Sequence, residues 1–221
     1  MDVLGYSPGA VFGLGLLGFA VGTLGTMIGA GGGFLLAPAL LLLYPNERPE
    51  TIAAISLAVV FFNAASGSVA YARQRRIDYR SGLIFAAVSV PGALAGAYCT
   101  NLLPRRVFDL VFGCLMLALG AFVVSGSRQK VEASNQVICP AEGELSASLT
   151  DRSGEHYTWS YSLNRGIGIS LGVGYLSSLL GIGGGIIHVP ALTRLLRFPI
   201  AVATATSHFV LALTALVGTL A

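Results

Sequence analysis

The sequence predicts an all-α fold: a polytopic membrane helix bundle with an internal duplication, each half starting with a glycine-broken, discontinuous helix. Three observations carry this. Apolar residues make up 54% of the chain and charged residues 10%, with a mean hydropathy of +0.77, against about 25% charged in a soluble domain. Six stretches hold no Asp, Glu, Lys or Arg, namely 3–46, 51–72, 81–104, 110–127, 166–193 and 198–221. Finally, residues 29–40, GAGGGFLLAPAL, return at 181–192 as GIGGGIIHVPAL, identical at seven of twelve positions with an offset of 152.

A bilayer-spanning helix needs about 20 mostly apolar residues. Five of the six charge-free stretches exceed that, and the fourth gains a turn from Val107 and Phe108. The first is too long for one helix. A continuous helix over 9–43 would measure about 52 Å at 1.5 Å per residue, against an apolar core of about 30 Å. The glycines say where it breaks. A helix is therefore predicted over 9–28, a break at 29–33, and a short helix over 34–44 that stops at Tyr44-Pro45-Asn46.

Helices over 51–72, 81–101 and 106–125 complete the first half. The loop at 73–80 carries Arg73, Arg75, Arg76 and Arg80, which places it in the cytoplasm by the positive-inside rule. The polar stretch 126–164 reads as a water-exposed connector, with Trp159 and Tyr161 suited to the membrane interface. The second half repeats the pattern: helix 166–180, break 181–185, short helix 186–197, helix 200–220. Helix 200–220 aligns with 51–72 at an offset of 151, pairing Ser207 with Ser56 and Gly218 with Gly67.

Three regions follow. Residues 1–125 form a first transmembrane repeat, 126–164 a polar linker, and 165–221 a second repeat that lacks counterparts of the last two helices. Truncation or a homo-oligomer that completes the bundle would account for the difference. The expected location is the inner (plasma) membrane, as a multi-pass protein. The net charge of +3 comes from basic residues at the ends of apolar runs, so no nucleic-acid partner is expected. Membrane lipid is. Cys99, Cys114 and Cys139 form no redox framework.

Irregular backbone is tolerated in a bilayer only where protein or a water-filled cavity satisfies it. A short helix that starts at such a break offers unpaired N–H groups and the positive end of its dipole. That geometry attracts an anion without Lys or Arg. Gly29, Gly31, Gly32 and Gly33, with Gly181, Gly183, Gly184 and Gly185, are therefore candidate substrate-binding residues; close helix packing is the competing role. No Lys-Ser/Thr follows either run, which excludes a Walker-type phosphate loop. Ser56, Asn63, Thr206, Ser207 and His208 lie in the helices that follow the breaks and are candidates to orient the substrate. Hydrogen-bonded glue between helices is the alternative for each. His188 and His208 are the ionisable side chains inside the apolar stretches and default to a functional reading, although packing would also explain them. A metal site would need more ligands than two histidines, so neither metal nor cofactor is expected.

The two GxGGG-to-Pro breaks, the run AAISL at 53–57, the matching ATSH at 205–208 and the basic loop ending in Ile77-Asp78-Tyr79 together resemble the TauE/SafE family. The resemblance covers about 9–125 and 166–221. It implies a membrane transporter, not an enzyme, exporting a small anion such as sulfite, an organosulfonate or a carboxylate. Alternating access around the paired breaks is the mechanism expected from the duplication. A non-transporting scaffold, or a metal-handling membrane protein built on the histidines and a cysteine, is the alternative.

Overall fold

The structure, a computed structural model, describes residues 8–29, 31–126 and 144–221. Among these residues the order is α1 (Pro8–Ile28), α2 (Gly33–Leu43), α3 (Pro49–Arg73), α4 (Tyr79–Leu102), α5 (Arg105–Gly126), β1 (Leu145–Thr150), β2 (His156–Tyr161), α6 (Leu163–Leu180), α7 (Gly185–Arg194) and α8 (Ile200–Leu220). The described residues are mostly helical, with residues 29–32 between α1 and α2 and residues 181–184 between α6 and α7.

Within the described residues, three helices are long and apolar enough to cross a membrane: α3, α4 and α8. Their neighbours share the same inverted distribution of polarity. Large apolar side chains stand outward, with Phe19 on α1 75% exposed and Leu117 on α5 76% exposed, while Ser56, Ser89, Ser177, His188, Ser207 and His208 are buried. A soluble protein could not carry so much outward apolar surface. In lipid, the outer face has apolar neighbours and the polar groups seek protein partners inside.

Two seams hold the interior together. Along α4 and α6, small residues let the backbones touch. A methyl on Gly92 or Gly96 would run into the carbonyls of Leu171 or Tyr175, and one on Gly174 into that of Ser89. Hydrogen bonds bolt the seam: Ser89 Oγ donates to Ser170 O at 2.9 Å and Thr100 Oγ1 to Leu179 O at 2.8 Å. This is small-xxx-small packing, in which loss of side-chain volume permits close dispersion contact. Along the second seam α3 and α8 run antiparallel, since Gly67 faces His208 while Gly218 faces Leu57.

The loops sort onto two ends. At one end Arg105, opening α5, donates to Glu47 O at 2.6 Å and Leu41 O at 3.1 Å, capping α2 with a cation where carbonyls are unpaired. At the other end lie the α3–α4 loop, the strands and the α7–α8 loop.

The strands correct the expectation of a plain connector and an all-α chain. β1 and β2 form an antiparallel hairpin in which Leu145 pairs with Tyr161 and Thr150 with His156. Leu145, Ala147 and Leu149 alternate with Ser146, Ser148 and Thr150, which gives one apolar face at a period of two. Trp159 and Tyr161 pack against Phe198 with ring centroids 5.2 and 5.1 Å away. Arg152 N–H donates to Gln74 O at 3.0 Å, and Arg76 pairs with the buried Asp151 at 2.9 Å. The hairpin thus docks on the basic loop. Cys139 and the linker residues 127–143 lie outside the described residues.

Candidate functional site

Each break contains three glycines in left-handed backbone. Gly29, Gly31 and Gly32 have φ of 82°, 72° and 84°; Gly181, Gly183 and Gly184 have 68°, 76° and 64°. L-residues with a Cβ are strained there, so glycine at these positions is a backbone requirement. The turn folds the following short helix back along the preceding one. Gly184 lies against Val173 and Ser177 of α6, and Gly166 near the start of α6 lies against Leu196 just beyond α7. Gly32 lies likewise against Val21 of α1. The hydrogen bonds also correspond: Leu35 and Leu36 N–H donate to Gly32 O, as Ile187 and His188 N–H donate to Gly184 O. At 11 and 10 residues, α2 and α7 are about 15 Å long.

The two breaks meet reciprocally. Gly29 packs on Thr204 of α8, and Gly181 on Ala53 of α3, so each break rests on the helix that follows the other. They converge on one buried side chain. Methyls placed on Gly31, Gly33 and Gly183 would stand 3.0, 2.6 and 2.5 Å from the γ carbons of Val60. Gly33 also abuts Ile182 O. The N-termini of α2 and α7 therefore start close together beside Val60, with no Lys or Arg among the residues found there.

Around this shared backbone the side chains differ. At the first break Asn63 is fully engaged: its amide donates to Gly22 O at 3.2 Å and Gly31 O at 3.0 Å and accepts from Thr26 Oγ1 at 2.6 Å. It ties α1, the break and α3 together. At the second break a small cavity is lined by Ser89, Val173, Ser177, Gly183, His188 and Thr214, among others, and offers about 10 Å³ to the centre of a water-sized sphere. That is room for about one water. Ser177 Oγ and His188 Nε2 are buried here without a hydrogen-bond partner, whereas Thr214 Oγ1 is turned back onto Val210 O at 3.0 Å.

The structure brings Gly31, Gly33 and Gly183 together, with Gly32 and Gly184 adjoining as the caps of α2 and α7. Gly185 N–H bonds Gly183 O at 2.8 Å. Ser56 and Ser207 are buried with unpartnered hydroxyls, one turn before Val60 and Leu211 in their helices. Two candidates are engaged elsewhere. Thr206 Oγ1 accepts the Asp78 N–H at 3.1 Å, bracing the basic loop. His208 fills the notch left by Gly67, edge-on to Tyr71 at 5.3 Å, with Nδ1 3.2 Å from Thr204 O. Among the described residues no three His, Cys, Asp or Glu side chains gather as a metal-binding group. Sequence reading missed Ser177 and Ser89. The available signal was the Ser177-Ser178 pair one turn before the second break, where the first half has Gly25-Thr26.

Comparison with known proteins agrees with a transporter. The family model described as Sulfite exporter TauE/SafE matches residues 14–221. The chain is 36% identical over 209 residues to the Probable membrane transporter protein YunE of Bacillus subtilis (strain 168), covering 92% of this chain and 74% of that one. It is 29% identical over 185 residues to a Probable membrane transporter protein of Xylella fastidiosa (strain Temecula1 / ATCC 700964), covering 84% and 62%. With the Probable membrane transporter protein MJ0441 of Methanocaldococcus jannaschii it shares 26% over 208 residues, covering 92% and 68%. The chain thus spans about two thirds to three quarters of these relatives' lengths. No solved structure matches it.

Proposed function

The chain belongs to the TauE/SafE family, and from that premise we propose that it moves a small anion across the inner membrane by alternating access around the paired glycine breaks. Sulfite, an organosulfonate or a small carboxylate is the substrate class. The observation that carries the proposal is the reciprocal seating of the two breaks, each on the helix after the other, with both short-helix N-termini beside Val60. Transporters built from repeats related by a pseudo-two-fold axis in the membrane plane bind substrate at the repeat interface, between discontinuous helices. In this reading 1–125 and 165–221 are inverted repeats. Equivalent helices α3 and α8 run antiparallel, pairing Leu57 with Gly218 and His208 with Gly67.

Charge supports an orientation. Arg73, Arg75, Arg76, Arg80, Arg152, Arg165, Arg194 and Arg197 belong to the end that carries the hairpin, against Arg48, Arg105 and Arg106 at the other. The hairpin end is cytoplasmic on that count. An inside-negative potential then drives an anion outward, by about 2.3 kcal/mol per charge per 100 mV.

The test is electrogenic flux in proteoliposomes with sulfite, sulfoacetate, taurine, sulfate and a dicarboxylate. A saturable, voltage-dependent flux of one anion is expected. Protein that inserts and folds yet passes none of them would sink the proposal and favour a scaffold.

A further inference from the structure

The second break carries two features that the first lacks. Ser177 and His188 are 2% and 1% exposed, both line the cavity against Gly183 and Gly184, and Ser177 Oγ and His188 Nε2 have no hydrogen-bond partner. A buried polar atom without a partner is costly and calls for an explanation. The equivalent positions in the first half are Gly25 and Leu36. There a methyl on Gly25 would already collide with the backbone of Gly32, and Asn63 occupies the remaining carbonyls.

We infer that the substrate binds at the second break alone, held by Ser177 Oγ–H, the His188 imidazole at Nε2 and the Ile186 N–H in the first turn of α7, whose neighbouring Gly185, Ile187 and His188 N–H groups are spent on Gly183 O and Gly184 O. The first break acts as its fixed counterpart. This inference rests on the transporter reading above and deepens it. The donors match oxyanion chemistry; Ser89 and Thr214, whose protons are committed to Ser170 O and Val210 O, add no donor. No Lys or Arg lines the cavity. Fixed positive potential comes from the start of α7, equivalent to about half an elementary charge, with the start of α2 close by beside Val60. Fractional positive charge of this size compensates one negative charge far better than two. The ligand class is therefore a small, singly charged oxyanion, and a dianion is excluded by its uncompensated charge. Because the cavity holds about one water, α7 must move away from α6 or α8 to admit it.

The experiment measures uptake of radiolabelled sulfite, at mildly acidic pH where it is mainly the hydrogensulfite monoanion, by the full chain in proteoliposomes, with methanesulfonate and sulfate as competitors. Unsubstituted protein is compared with Ser177→Ala, His188→Gln and, as a control on the exposed face of α5, Cys114→Ser. Ser177→Ala and His188→Gln should each raise KM by about 10- to 100-fold, the value of a hydrogen bond to a charged group. Methanesulfonate should compete and sulfate should not. Ser177→Ala should also melt no lower than the unsubstituted protein, because it removes an unpaired hydroxyl. An unchanged KM in both variants, a lowered melting temperature in Ser177→Ala, or equal competition by sulfate overturns the assignment while leaving the transporter reading standing. No uptake by the unsubstituted protein defeats both.

Discussion

At the first break, one amide from α3 closes the turn: Asn63 reaches Gly22 O, Gly31 O and Thr26. At the second, the equivalent residue Thr214 spends its hydroxyl on its own helix, and Ser177 and His188 are buried without partners. The backbone is nearly the same in both, down to three left-handed glycines and the bonds that open the short helix. The difference teaches that glycine spacing specifies the turn, while the side chains one turn before it and on the following helix decide whether the polar groups around it are partnered.

The largest expected effect separates the breaks by volume. Gly183→Ala puts a methyl 2.5 Å from Val60 Cγ1 and 2.9 Å from Cγ2 at φ 76°. Left-handed strain and overpacking together should cost about 3–4 kcal/mol. Gly31→Ala meets a single γ carbon of Val60 at 3.0 Å and should cost about 1–2 kcal/mol. Unfolding in mixed micelles checks both. Adding Val60→Ala should restore part of the loss in Gly183→Ala; no coupling between the two would break the picture of a shared Val60.

Next comes the plug. Asn63→Ala leaves Gly31 O without its donor, while Thr26 Oγ1 still reaches Gly22 O, and should cost about 1–3 kcal/mol. Thr214→Ala, its equivalent, should cost about 1 kcal/mol or less, because an intrahelical hydroxyl bond contributes little. Equal losses would mean that both breaks are sealed alike.

The smallest effect is a control that touches neither break. Asp151 titrates near 2, held down first by the Ser153 hydroxyl, then by Arg76 and the N–H groups of Glu155 and Ser153, against the opposing pull of burial. A depressed carboxylate stabilises the folded state fully above its unfolded pKa of about 3.9 and loses that contribution as pH falls toward the folded value. Trp159 fluorescence should therefore report hairpin undocking between about pH 4 and 2. Asp151→Asn should abolish that transition and leave sulfite uptake unchanged at neutral pH.

Much of the architecture was legible because lipid imposes simple rules. Apolar runs without charge gave α8 at 200–220 and located α3 and α4 within two residues at each end. The glycine runs fall between α1 and α2 and between α6 and α7. The hairpin escaped because Leu145, Ala147 and Leu149 are a weak alternation inside a polar stretch, and because its value comes from Trp159 and Tyr161 meeting Phe198, 37 to 39 residues later. The direction of the second half escaped too. It depends on whether α7 turns back along α6, and the contact between Gly166 and Leu196 that shows this is tertiary. Of the candidate site, the glycines came from repetition, and Thr206 and His208 from polarity within an apolar run. Polarity alone does not distinguish a hydroxyl that braces a loop from one that faces a cavity, and Ser177 gains meaning only when α7 folds over it.

The reciprocal seating of the breaks also sets an order of events during synthesis. Gly29 rests on Thr204, which leaves the ribosome roughly 175 residues later, of order 10–35 s at 5–20 residues per second. Through that interval the first turn has no second half to lean on. Asn63, emerging only some 30 residues after Gly31, is the group within reach that can occupy its carbonyls. The second turn is born into a bundle whose α3 and α4 already exist, and it needs no such early clasp. The amide that ties down the first turn is thus what lets a nascent chain wait, inside the membrane, for the rest of itself.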